Sequence, residues 1–193
     1  MPSVLLFCIA EEAKPFVYQA MNTKVPGSDN GYFLLAETHT APGYDDNQRP
    51  RQKLEKDEPF EAEFIGASKQ DCQTWAMENQ YRVNYIEGDQ LVILDTRSAK
   101  DGTVLFQHYV HAPGSVLGEM GELGIFPKEA DRWYDFRMDI RHVTEFSPLI
   151  QDQEWWPVYY GLKEELTNAD GIFDVEKAGR ICDNEEPGYK DII

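Results

Sequence analysis

The most regular hydrophobic pattern in the chain lies in residues 81–111, where three apolar, β-branched or aromatic runs are separated by turn signals. Residues 81–86 form the first run, and Glu87-Gly88-Asp89 reads as a turn. Residues 90–96 form the second run, and residues 103–110 the third, after Ser98-Ala99-Lys100-Asp101-Gly102. The pattern predicts three adjacent strands. In the second, Leu91-Val92-Ile93-Leu94 is apolar on both alternating faces, so this strand is expected between two layers, at the centre of the sheet.

Upstream, the continuous apolar run 3–9 predicts a buried strand. Residues 11–22 carry Ala13, Phe16, Val17, Ala20 and Met21 at spacings of three and four, one apolar stripe of a helix whose first turn holds Glu11, Glu12 and Pro15. Pro26-Gly27 ends it, and residues 32–37 resume as a strand. Residues 38–63 mix proline, glycine and charge and cannot bury enough apolar surface to offset their ordering cost, which predicts a mobile loop, either plain or serving as a lid or partner arm.

Ser68-Lys69-Gln70-Asp71 reads as a capping box opening a helix over 68–79, with Cys72 and Trp75 toward the core. His111-Ala112-Pro113-Gly114 closes the third run of the meander. Gly114, Gly118, Gly121 and Gly124 come next, without the order of a dinucleotide fingerprint or the Lys-Ser/Thr pair of a P-loop, so they predict a turn or short helix. Residues 133–141 alternate strictly: Tyr134, Phe136, Met138 and Ile140 on one face, Asp135, Arg137, Asp139 and Arg141 on the other. Pro157 opens a helix predicted over 157–169, with Val158, Leu162, Leu166 and Ala169 on one face and Asn168-Ala169-Asp170-Gly171 ending it. Residues 172–178 add a further helical turn or two, and an acidic tail begins near residue 183.

These elements predict an α+β fold: a mixed or largely antiparallel sheet of about five or six strands with the helices mainly on one face. The 193 residues suit a single globular domain, 1–193. A hydrophobic content of 41%, with 12% aromatics, excludes a largely disordered chain. Thirty-five acidic against eighteen basic residues give a formal charge of −17, which argues against a phosphate backbone or an anionic membrane surface as partner and favours basic partners. Cys8, Cys72 and Cys182 are odd in number and widely spaced, with no paired metal pattern, which suits a reducing compartment; with no signal-like or membrane-spanning stretch, the expected location is cytoplasmic.

Candidate chemistry is sparse. His108 and His111 are three apart, which on a strand places them on opposite faces and argues against a shared metal; His108 falls with Val104, Phe106 and Val110, the place of a hydrogen-bonded core histidine. Asp95, at the end of the central strand, could pair with His108 as an acid/base couple, with Arg97 orienting a polar ligand, unless Asp95 merely organises a turn with Ser98. Arg137 could clamp a carboxylate or phosphate if its face lines a cavity, while simple pairing across strands accounts for it equally. Trp155, Trp156, Tyr159 and Tyr160 form an aromatic group, and adjacent tryptophans cannot share one face, so Trp155, Trp156 and Tyr159 are candidate partner anchors. The leading expectation is a non-enzymatic intracellular binding or regulatory protein, without cofactor or metal, presenting an acidic, aromatic-bearing surface to a basic or mixed-charge protein partner. The alternative is a small-molecule-binding domain or enzyme using Asp95, Arg97 and His108.

Overall fold

A computed structural model describes residues 3–23, 31–43, 45, 50–79, 86–111 and 127–183. The elements within them, in chain order, are β1 (Ser3–Cys8), α1 (Lys14–Met21), β2 (Phe33–Leu35), α2 (Lys69–Asn79), β3 (Ile86–Leu94), a one-turn α3 (Ser98–Asp101), β4 (Thr103–Val110), β5 (Arg132–Asp139), α4 (Val143–Leu149) and α5 (Val175–Cys182). A π-helical turn, Pro157–Gly161, lies between α4 and α5. The sheet has the order β2-β1-β3-β4-β5. β1 runs parallel to both β2 and β3, and β3, β4 and β5 run antiparallel to one another, so the sheet is mixed.

The central strand is β3, and its alternation divides the core. Val92 and Leu94 face one layer with Val104, Phe106, Phe136 and Met138, under α1, α4, the π-helical turn and α5. Leu91 and Ile93 face the other with Leu5, Phe7 and Phe64, under Cys72, Trp75 and Ala76 of α2. A strand apolar on both faces is thus covered on both, and the helices are mainly on one side, with α2 the exception.

Several boundaries differ from the sequence expectation. The turn expected at Glu87-Gly88-Asp89 lies inside β3: two steps along β1, from Ser3 to Leu5, are matched by five along β3, from Ile86 to Leu91. The glycine there marks a bulge rather than a reversal, which is the other meaning of a glycine in a strand pattern. Residues 81–85 of the first expected strand, the stop at Pro26-Gly27, the glycine-rich segment 114–124 and the tail after Asp183 lie outside the described residues. The helix expected over 157–169 is only the π-helical turn followed by bends. Asn168 Oδ1 accepts from the backbone N–H groups of Asp170 and Ile172, and Thr167 bridges to Phe173, so the chain turns back early. Val158, Leu162 and Leu166 are nevertheless buried, and Ala169 is exposed.

Local chemistry explains where the other elements begin. The Ser68–Asp71 capping box is present: Asp71 Oδ2 accepts from Ser68 N at 2.7 Å, and Ser68 Oγ accepts from Asp71 N at 3.2 Å. Asp139 ends β5 by accepting from Arg141 N, and a 3-10 turn then leads into α4. α5 starts at Asp174, whose carboxylate accepts from Lys177 N at 2.8 Å. Residues 50–63 hold no helix or strand but are tied to the sheet. Leu54 is buried, Leu35 N donates to Arg51 O, and Arg51 joins Glu37 and Glu58. The three thiols are free and buried; burial pushes Cys8 up to about 11 and Cys72 up to about 12, so both behave as small hydrophobes. Among the described residues, no helix is long and apolar enough to cross a membrane.

Candidate functional site

The residues singled out from the sequence do not converge. Asp95 leaves β3 and turns onto its own loop, accepting from the backbone N–H groups of Arg97 and Ser98 at 3.1 and 3.0 Å. It also holds Arg137 in a two-pronged pair, and Arg137 is thereby spent on structure. Burial pushes the Asp95 carboxyl up, but Arg137 and Ser98 outweigh it and hold the group below the usual carboxylate range. Arg97 pairs with Asp101 at 2.6 Å across the single turn of α3, which Gly102 closes in a left-handed conformation at φ +72°.

His108 is elsewhere. It pairs in register with Gln90, five residues before Asp95 on β3, a separation of about 16 Å along a strand. Its side chain faces the opposite layer from Asp95 and Arg137, so the expected Asp95/His108 couple does not form. His108 is instead the hydrogen-bonded core histidine that its apolar neighbours suggest: only 2% exposed, with Nδ1 against the Tyr160 hydroxyl and Nε2 3.6 Å from Asp89.

The aromatic anchors are also corrected. Trp156 is 7% exposed and donates from Nε1 to Ile150 O at 2.6 Å, while Tyr159 is 1% exposed and packs edge-on to Phe146. Trp155 is only partly buried. Trp156, Tyr159 and Tyr160, spaced i, i+3 and i+4 at and within the π-helical turn, share one face and turn inward together.

What the fold does assemble is a cleft of about 520 Å³ between the start of β5 and the end of the π-helical turn. Tyr134 and Tyr160 form its aromatic wall, with ring centroids 4.9 Å apart. Tyr160 is fixed from behind by His108, and Tyr134 by its hydroxyl, which donates to Glu129 O at 2.7 Å. Burial pushes the Tyr160 phenol far up, with Tyr134 and Asp89 adding to the effect, so it stays protonated. Arg132 lies over the Tyr134 ring at 5.2 Å and pairs with Glu129 at the exposed rim.

Lys163 is the distinctive group in this cleft. It is half-buried, its Nζ sits 4.9 Å from the centroid of the Phe136 ring, and among the described residues no carboxylate lies within ion-pair distance of it. Burial pushes its ammonium below the ordinary lysine value; Lys69 and Arg132 push in the same direction, while Asp135 and Glu164 oppose them. A desolvated cation without a direct ion pair is costly unless something supplies one. Sequence reasoning named Tyr160 but missed Lys163, because it sits in the middle of a segment read as a regular helix, off the apolar face of Val158, Leu162 and Leu166. Its partner ring, Phe136, comes from a strand 27 residues earlier.

Two other polar regions are satisfied internally. Tyr32, Ser147 and Gln90 form a buried chain that ties α4 to β3, with Tyr32 donating to Ser147 at 2.5 Å and Gln90 Nε2 to Ser147 O at 3.0 Å. An acidic cleft beside α2, also about 520 Å³, is lined by His39, Glu63, Asp71, Trp75 and Glu78. There Glu63 accepts from His39 N, and Trp75 donates to His39 O. Among the described residues no group of histidine, cysteine and carboxylate side chains is arranged to hold a metal ion. No family model, no curated protein and no solved structure matches the chain.

Proposed function

We propose that the protein binds a small, carboxylate-bearing molecule in the cleft walled by Tyr134 and Tyr160. The observation that carries this reading is Lys163, a half-buried ammonium that makes no direct ion pair among the described residues, opening onto a cleft large enough for a small organic ligand. A bound carboxylate supplies the missing ion pair, and the two tyrosine rings offer flat apolar contact to the rest of the ligand. A charge-assisted hydrogen bond is worth about 1.5–3 kcal/mol, roughly a ten- to hundredfold effect on affinity. Calorimetric titration with a panel of small aliphatic and aromatic carboxylates tests the reading. The expected result is saturable binding that weakens at least about tenfold in Lys163→Met. Binding that Lys163→Met leaves unchanged, or no binding by any member of the panel, overturns it.

A second reading, an acidic surface that docks a basic protein, rests on the charge of −17 and on the acidic cleft beside α2. The three buried free thiols suit a cytoplasmic setting for such a partner. Its support is narrower than the sequence suggests, because Trp156 and Tyr159 are core residues. Capture of a basic partner from native extract, weakening as salt is raised, supports it; no capture at low or moderate salt counts against it.

A further inference from the structure

We infer that the ligand of this cleft is an aryl carboxylate, an acid whose body is a flat ring without hydroxyl groups. The inference rests on the carboxylate-binding reading and names the ligand class more closely. The two wall residues withhold their polar ends. The Tyr134 hydroxyl donates to Glu129 O at 2.7 Å. The Tyr160 hydroxyl lies against Nδ1 of His108, a residue only 2% exposed, and Asp89 stands 3.6 Å from Nε2 on the far side of that imidazole. A carboxylate at Nε2 favours the tautomer with its proton there, which leaves Nδ1 to accept from Tyr160. Each phenol has one proton to give, and each proton is already engaged. The tyrosines therefore offer the ligand ring surface and no donor.

The rings form a connected strip. The centroids of Tyr134 and Tyr160 are 4.9 Å apart with the planes at 70°, and those of Tyr160 and Phe136 are 5.6 Å apart at 66°. Rings set edge-on present a face beside an edge, the two contacts that a further flat ring meets best. Phe136 is fully buried and carries the Lys163 ammonium 4.9 Å from its centroid, so the cation is held beside Tyr160. A carboxylate on Lys163 thus leaves the body of the ligand along Tyr160 and Tyr134. The other charged groups lining the cleft face solvent: Glu129 and Arg132 hold each other, and Lys128, Glu164 and Glu165 are exposed. A hydroxyl on a ring seated between the tyrosines loses its water without gaining a partner, a loss of roughly tenfold in affinity.

The test is calorimetric titration of the full chain with phenylpropanoate, cyclohexylpropanoate and dihydroxyphenylpropanoate, which share one carboxylate and one linking chain. The cyclohexyl ring buries at least as much apolar surface as the phenyl ring, so area alone does not favour the aryl acid. The expected result is tightest binding of phenylpropanoate, roughly two- to tenfold tighter than the saturated acid and roughly tenfold tighter than the dihydroxy acid. The preference for phenyl over cyclohexyl should shrink in Tyr134→Leu, which removes one wall at a half-buried position of an edge strand. Equal or tighter binding of the saturated or the dihydroxy acid, or a preference that Tyr134→Leu leaves intact, overturns the inference. Because the acids are compared on the native chain, the result decides even if Tyr134→Leu fails to fold. Saturable binding without the aryl preference overturns the ligand class alone and leaves the carboxylate reading standing, whereas no binding by any of the three removes both.

Discussion

At the scale of single residues, some of the described charges stabilise the molecule and others, Glu87 and Lys163 among them, do not. The Asp95–Arg137 pair belongs to the first kind: the folded state holds Asp95 below its unfolded value, so its contribution is present above the unfolded pKa and is lost as pH falls through the folded one. Asp95→Asn should cost about 2 kcal/mol at neutral pH, less than for a fully buried pair because Asp95 remains a quarter exposed. In urea titrations the deficit against the native chain should shrink as pH falls from the unfolded value of about 3.9 through the lower folded one, where the native carboxylate also becomes protonated. Lys163 belongs to the second kind. Its folded pKa lies below its unfolded one, so the unfolded chain binds more protons between the two, and stability rises with pH across that window. Lys163→Met removes this contribution: its gain relative to the native chain should be largest near neutral pH and narrow as pH approaches the ordinary lysine value, a trend that thermal unfolding at several pH values reads directly.

At the scale of elements, the parts legible from the sequence were those fixed by local periodicity and capping. The stripe Ala13, Phe16, Val17, Ala20 and Met21, the capping box at Ser68 and the face Tyr134, Phe136, Met138 and Ile140 each require only neighbours in the chain; the capping box is bonded as expected, and the two apolar faces are buried except for Phe16 and Tyr134, which are half-buried. Ser68→Ala should therefore destabilise the fold by about 1 kcal/mol, measured as a shift of the denaturation midpoint without change of slope. α4 was not legible. Pro148 within it and the polar Thr144 and Ser147 obscure a stripe that is clear only once Val143 and Phe146 are seen against Phe106 and Phe136. The Glu87-Gly88-Asp89 bulge and the π-helical turn were misread for a related reason: glycine and proline punctuate a pattern, but whether they bend it or end it is decided by the register of β1 beside β3 and by the burial of Trp156 and Tyr159. Phe146 joins these elements, touching Phe106, Phe136, Tyr159 and Phe173, and Phe146→Ala should cost about 3–5 kcal/mol by equilibrium denaturation.

At the scale of the whole molecule, a mixed sheet covered on both faces leaves little room for chemistry between its layers. The α+β class was legible in the sequence, because the order of strands and helices and the doubly apolar central strand admit few other arrangements. The site was not, because it is made by distance in space: Phe136 and Tyr134 come from β5, Tyr160 from the π-helical turn, Lys163 from the bend just after it, and His108 from β4 behind them. Asp95, Arg97 and His108 looked convergent only along the chain; the pleat sends Asp95 and His108 to opposite faces. The central proposal is that Lys163, which makes no direct ion pair among the described residues, makes this cleft a carboxylate site. The most direct measurement is an NMR titration that tracks the lysine side-chain resonances as a small aromatic carboxylate is added. The account predicts a saturable shift at Lys163, larger than at Lys14 or Lys69, with the lysine's own pKa rising as the anion binds. Equal, non-saturating shifts at all lysines, or an unmoved Lys163, would contradict it.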